Sequence, residues 1–121
     1  MSDERLERGT RVRRAVLGDA HVDRMEAAAT PFTEEFGEFL TKVAWGEIWT
    51  RPGLDLRTRS CITVAMLVAL DRPEELALHL RGALNNGVTA DELREILLQA
   101  AVYCGIPAAN AAFRVAAQVL G

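Results

Sequence analysis

Apolar positions along this chain recur at helical spacing, and no segment keeps a period of two between turn signals, which argues against strands. A first helix is predicted from Asp3 to Leu17, stopped by Gly18, and a short second one from Ala20 to Ala29. Thr30 reads as an N-cap with Pro31 at the first helical position. From there Phe32, Phe36, Phe39, Leu40 and Val43 mark one helical face up to about Trp49, and Pro52-Gly53 ends the element. Asp55 opens a helix from Leu56 to Leu70. Its run Cys61 to Leu70 is apolar on nearly every side, as in a helix at the centre of a bundle or an oligomer. The β-branched residues of that run also suit a buried strand, but its continuity with Asp55 to Ser60 favours the helix.

Asp71 is the candidate N-cap of the next helix, which has Pro73 near its start and runs through Asn86. Gly87 closes it in the left-handed conformation that glycine adopts without a Cβ penalty. Thr89-Ala90-Asp91-Glu92 fits the capping box and starts a helix to about Cys104. Gly105 ends that helix, and Pro107 starts the last one, to Leu120. The expectation is an all-α, compact single-domain bundle of six to seven helices spanning residues 1–121. No repeat, linker or low-complexity tract interrupts it.

Composition adds one thing to this picture. Half of the 121 residues are hydrophobic but only 6% are aromatic, so the apolar content is mostly Ala, Leu and Val. Closely packed helices use such residues, and an apolar excess in a small chain is buried between subunits. A homo-oligomer is therefore expected. The formal net charge is −3. Arg5, Arg8, Arg11, Arg13 and Arg14 form a basic stretch, but Glu4 and Glu7 interrupt it and Leu6, Val12, Val16 and Leu17 give it an apolar face. A solvated helix is favoured over a nucleic-acid arm. No run approaches the roughly 20 apolar residues of a membrane span. The charged start Met-Ser-Asp-Glu-Arg has no apolar signal core. Cys61 and Cys104 lie far apart in apolar runs, as reduced thiols of a cytoplasmic protein do.

Candidate chemistry concentrates on the helix from Pro73 to Asn86. Leu76, Leu80, Ala83 and Leu84 make its core face, and Glu75, His79, Gly82 and Asn86 make a polar stripe directly beside it. A cleft forms at such a border, although a lone histidine there is more often structural than catalytic. A second candidate region is Trp45 to Gly53. Trp45 and Trp49 share one helical face, and Glu47 and Arg51 are also four apart. They read either as two core aromatics and a surface ion pair, or as an aromatic-walled pocket with a cation for a carboxylate. Glycine-rich phosphate loops, His-Glu-x-x-His, Cys-x-x-Cys and nucleophile-elbow patterns are absent. With only two histidines, His21 and His79, no metal, nucleotide or organic cofactor is expected.

These residues carry a resemblance. Glu75-Leu-Ala-Leu-His79-Leu-Arg81-Gly-Ala-Leu-Asn85-Asn86-Gly87-Val-Thr89, with Glu92, Glu95 and Tyr103-Cys-Gly-Ile-Pro107-Ala-Ala, is similar to the γ-carboxymuconolactone decarboxylases. These belong to the carboxymuconolactone decarboxylase and alkylhydroperoxidase D-like superfamily. Gly18-Asp19-Ala20-His21-Val22-Asp23 and Trp45 to Arg59 extend the likeness over almost the whole chain. The peroxidase branch carries a Cys-x-x-Cys with a histidine four residues on. Aligning His79 with that histidine puts Glu75 and Arg72 at the two cysteine positions, so thiol peroxidase chemistry is not expected.

The resemblance implies decarboxylation of 4-carboxymuconolactone to β-ketoadipate enol-lactone, in protocatechuate catabolism, without a cofactor. It implies His79 as proton donor or oxyanion partner, Glu75 as its orienting carboxylate and Glu47 as a second acid. Arg51 and Arg81 would bind the substrate's retained carboxylate, and Trp45 and Trp49 would wall the pocket. Asn85 and Asn86 are read as capping residues. The implied assembly is a trimer or hexamer of identical chains. Two other classes stay open: a related lyase acting on another lactone or β-keto acid in a biosynthetic pathway, and a non-enzymatic small-molecule-binding oligomer.

Overall fold

The computed structural model describes residues 3–121; Met1 and Ser2, part of the charged start noted above, lie outside the described residues. Among the described residues the chain is all-α, with seven α-helices, one π-helical segment and no strand. Contacts within the chain gather it into two compact units, one ending at Asp55 and one running Leu56–Gly121.

In the first unit, α1 spans Glu4–Leu17 and α2 spans Asp19–Ala27. The Asp3 carboxylate accepts the Arg5 backbone N–H at 2.9 Å and so caps α1. Gly18, at φ 90°, turns the chain between the two helices. Arg14 then clips α2 to α1, donating to Asp19 and Asp23 at 2.9 Å and to Glu26 at 3.3 Å. Arg5 and Arg8 are also in ion pairs, with Asp3 and Glu47 and with Glu4. Much of the basic stretch is thus engaged within the chain.

The element predicted from Pro31 to Trp49 differs from expectation in two ways. Its start is later: the Thr33 hydroxyl accepts the Thr30 N–H at 2.9 Å in a turn, and α3 spans Glu34–Leu40. Its second half, Thr41–Ile48, is a π-helix, continued by the Trp49 N–H donating five residues back to the Ala44 carbonyl at 2.9 Å. Backbone crowding accompanies this register. A Cβ on Gly9 would lie 2.0 Å from the Thr41 carbonyl oxygen, and one on Gly46 would lie 2.2 Å from the Arg5 carbonyl oxygen. Only glycine permits that approach. The predicted phenylalanine stripe is not a core face in the single chain, since Phe32, Phe36 and Phe39 are all exposed. Val16, Trp45 and Trp49 form the buried cluster instead, with Val12, Leu17, Leu40 and Ala44 against it.

The second unit contains α4 (Leu56–Ala69), α5 (Pro73–Asn85), α6 (Ala90–Cys104) and α7 (Ile106–Leu120). Its core joins Val64 and Val68 of α4, Leu76, Leu80 and Ala83 of α5, Leu93 and Leu97 of α6, and Ala112 and Ala116 of α7. Alanines on α7 let helices approach closely, which is how a nearly aromatic-free sequence still packs. The α4 helix is not buried all round: Ser60, Val64 and Val68 point inward, while Ile62, Met66 and Leu70 are exposed in the single chain.

Both α4 and α5 stop in the same way. After α5, the Gly87 N–H donates to the Leu84 carbonyl and the Val88 N–H to the Ala83 carbonyl, with Gly87 at φ 89°. After α4, the Asp71 N–H donates to Val68 and the Arg72 N–H to Leu67, with Asp71 at φ 55°. These are Schellman motifs. Asp71 is therefore the C-terminal stop of α4, and Arg72 takes the N-cap position of α5 without a side-chain cap bond. The capping box of α6 forms as predicted: Glu92 N–H to the Thr89 hydroxyl at 3.1 Å, Thr89 N–H to the Glu92 carboxylate at 3.0 Å. Among the described residues no helix is long and apolar enough to cross a membrane.

Candidate active site

The α5 helix sets its chemistry against a fixed frame. Leu76, Leu80 and Ala83 are buried and anchor one face, and the Schellman stop holds its end. Leu84, predicted on the core face, is 40% exposed; Val88 beyond the helix end is 2% exposed and packs in the core. On the adjoining stripe Glu75 is exposed, His79 is half-buried and Gly82 is buried. The His79 Nδ1 is shielded from solvent. Glu75 precedes His79 by one turn, so the carboxylate and the imidazole lie on the same side of α5. Arg81 is exposed and two residues past His79, a spacing that places it on a different side of the helix.

Asn86 completes the stripe in a structural role. Its amide donates to the buried Ser60 hydroxyl at 2.9 Å and to the Leu56 carbonyl at 3.4 Å, tying the end of α5 to α4. Glu92 is likewise shared, because the carboxylate that closes the capping box also accepts from Arg57. Neither partner was visible from local spacing. Cys61 and Cys104 are free thiols, half-buried against the same core.

The other predicted site residues lie in the first unit. Trp45 and Trp49 are stacked, with centroids 4.8 Å apart and planes at 25°. They are 6% and 9% exposed, so the pair builds the core of that unit. Glu47, on the π-helix, accepts from Arg5 at 2.5 Å, a charge-assisted bond to a residue 42 positions away that spacing alone did not suggest. Arg51 follows on the exposed turn after the π-helix. Nothing in the sequence announced the π-helix itself, which sets the directions of Trp45 and Glu47. Functional sites are over-represented at such segments.

An imidazole one turn past a carboxylate on a firmly stopped helix is a group that can transfer a proton. The chain belongs to the carboxymuconolactone decarboxylase family, whose pattern matches residues 34–118. It is 48% identical over 120 residues to the 4-carboxymuconolactone decarboxylase of Acinetobacter baylyi, covering 98% of this chain and 90% of that protein. It is also 48% identical over 102 residues to a nitrosuccinic acid decarboxylase of Metarhizium robertsii, covering 84% of this chain and 71% of that protein. A 4-carboxymuconolactone decarboxylase of Pseudomonas putida is 50% identical over 44 residues, 36% of this chain and 92% of that sequence.

Proposed function

We propose that this chain is a carboxy-lyase that converts 4-carboxymuconolactone to β-ketoadipate enol-lactone in protocatechuate breakdown. The observation that carries this reading is the likeness to the Acinetobacter decarboxylase along 98% of the chain. The chemistry asks little of the protein. The departing carboxylate sits on the ring carbon vinylogous to the lactone carbonyl. As its bond to that carbon breaks, the electron pair moves through the ring double bond onto the carbonyl oxygen, and carbon dioxide leaves. The resulting oxyfuran-like enolate takes a proton at the carbon next to the carbonyl, which leaves the double bond shifted in the product. The substrate is its own electron sink. The protein has to hold the dianion, stabilise the oxyanion and deliver one proton.

His79 is assigned the proton transfer or the oxyanion contact, because an imidazole titrates near neutrality and this one is held at the border of the α5 core. Glu75 is assigned its orientation. Glu47 is already engaged by Arg5, which leaves the proton to His79. Arg51 is assigned to the retained carboxylate, since a guanidinium on the departing one would stabilise the ground state and slow the reaction; Arg81, on another side of α5 from His79, is not assigned to the same substrate. The buried Trp45–Trp49 stack is assigned to shaping the Glu47–Arg51 segment.

The test is turnover of 4-carboxymuconolactone generated in place, followed as enol-lactone formation. His79→Ala is expected to lower kcat by about 10²–10⁴-fold, the range of general acid–base catalysis. Arg51→Ala is expected to raise KM more than it lowers kcat. Dialysis against a chelator should leave the rate unchanged. No turnover by the wild type would sink the substrate assignment, and full activity of His79→Ala would sink the histidine's role.

The likeness to the Metarhizium protein favours a second reading, in which the substrate is nitrosuccinate or a related activated acid. A nitro group next to the departing carboxylate accepts the electron pair as a nitronate, so the same proton donor would serve. Comparing kcat/KM for the two substrates decides between them. Absence of turnover with either would favour a non-enzymatic binding protein. A cytoplasmic homo-oligomer, trimer or hexamer, is proposed on the exposed apolar side chains of the single chain, among them Phe32, Tyr103, Val102 and Ile106. Sedimentation velocity at micromolar concentration tests it.

A further inference from the structure

The first unit contains a cavity of about 440 Å³. Leu6 and Arg13 of α1, Val22 and Met25 of α2, and Phe36 and Leu40 of α3 line it. The volume falls in the range of small-molecule sites, and the wall is mostly apolar with few polar groups, as such sites are. Its one cationic group is unusual. The Arg13 Nε is buried and meets no hydrogen-bond acceptor among the described residues. The hydroxyls on the wall face their own helices, Thr10 donating to the Leu6 carbonyl and Thr41 to the Gly37 carbonyl. Glu26, the nearest opposing charge on the cavity wall, also accepts from Arg14 at 3.3 Å. Its charge is felt nearby: after burial itself, Arg13 is the main reason that the His21 imidazole lies below its ordinary value.

We propose that this cavity is a second small-molecule site, which takes a monoanionic amphiphile: one carboxylate on Arg13 and an aliphatic or aryl body against Val22, Met25, Phe36 and Leu40. Two features set the ligand's charge. The Arg13 guanidinium lines the cavity and makes no hydrogen bond or ion pair among the described residues, and a carboxylate matches its planar geometry. Glu34 and Glu38 of α3 also border the cavity and are exposed, so a second negative charge on the ligand would face them. The site therefore discriminates against dicarboxylates, the charge class assigned to the α5 chemistry. It holds none of the residues assigned to decarboxylation.

The probe is octanoate, compared with octanol and with the dicarboxylate suberate, each titrated calorimetrically into the full-length chain. Octanoate is expected to saturate at one molecule per chain, with octanol weaker by about tenfold or more, as loss of a charge-assisted hydrogen bond implies, and suberate weaker because its second carboxylate faces Glu34 and Glu38. Arg13→Met should weaken octanoate by a similar factor and leave octanol unchanged. Met25→Trp, which fills the cavity, should weaken both; it keeps the test open if Arg13→Met does not fold. Equal binding of octanoate and suberate, unchanged octanoate binding by the variants, or no saturable binding overturns the proposal. Binding that appears only when the protein is diluted to single chains also overturns it, because a second copy would then be the occupant.

Discussion

The two units are held together by different physics. In Leu56–Gly121 a continuous apolar core links all four helices, from Val64 to Ala116, and the ion pairs Arg57–Glu92 and Arg94–Asp91 sit outside it. In the unit ending at Asp55 the buried cluster is Val16 with the stacked tryptophans. Charge and backbone contact supply much of the rest: Arg14 on three carboxylates, Arg5 and Lys42 on Asp3, and the Gly9 and Gly46 approaches. An apolar core is nearly indifferent to pH and salt near neutrality, whereas ion pairs and buried titratable groups are not. Apart from His79 itself, the unit that carries the candidate catalytic helix is thus the less sensitive of the two to solution conditions.

Four measurements break or sharpen that contrast. The largest effect belongs to the apolar unit: Leu80→Ala, fully buried on α5, should cost about 2–5 kcal/mol in urea unfolding. A cost below about 1 kcal/mol would show that α5 relaxes into the vacancy and that its core is not the rigid frame described. Next is Gly9→Ala, whose added methyl collides with backbone. Overpacking of this kind costs about 1–3 kcal/mol, and amide exchange should accelerate in α1 and the π-helix first. Wild-type protection there would mean that the two backbones separate freely.

The third measurement is pH. The Arg5 side chain, chiefly, holds the Asp3 carboxyl down to about 2, and burial, then Arg13 and Arg24, hold His21 below 6.5. Both groups bind protons more readily in the unfolded chain, so stability rises with pH across each window. Acidification should weaken the first unit as pH falls below 6.5, and again between 3.8 and about 2. His21→Asn should flatten the upper step and Asp3→Asn the lower, read by amide exchange in α1 and α2. Steps of the same size in α6 and α7 would erase the contrast. The smallest effect is a gain. Asp71 occupies a left-handed position that glycine fills more cheaply, so Asp71→Gly should stabilise by up to about 1 kcal/mol.

What was legible in the sequence follows the same division. Helices α4 to α7 were placed nearly to the residue because their punctuation is local: Thr89 and Glu92 bond each other, and Gly87 and Gly105 turn where they stand. Asp71 was assigned to the wrong helix, since aspartate serves both as an N-cap and, less often, as a left-handed stop. Leu84 was placed in the core because periodicity cannot foresee that the chain beyond the helix end returns Val88 to it. The π-helix was invisible: eight residues bonded five back leave no distinct apolar period. The stripe Glu75–His79 was legible from spacing, whereas Arg81 was expected to bind the same substrate although it lies two residues past His79. The Arg5–Glu47 pair joins residues 42 apart and depends on tertiary packing alone.

The π-helix also bears on how such a chain tolerates changes in length. A helix bonded five residues back holds more residues per turn than one bonded four back. Loss of a single residue between Thr41 and Ile48 could be absorbed by reversion to ordinary α-helix, leaving the flanking elements in place. The side chains on either side of the segment would keep their directions, because the residue removed is the extra one that the wider turn holds. This segment is a point where one codon lost could be absorbed without unmaking the fold.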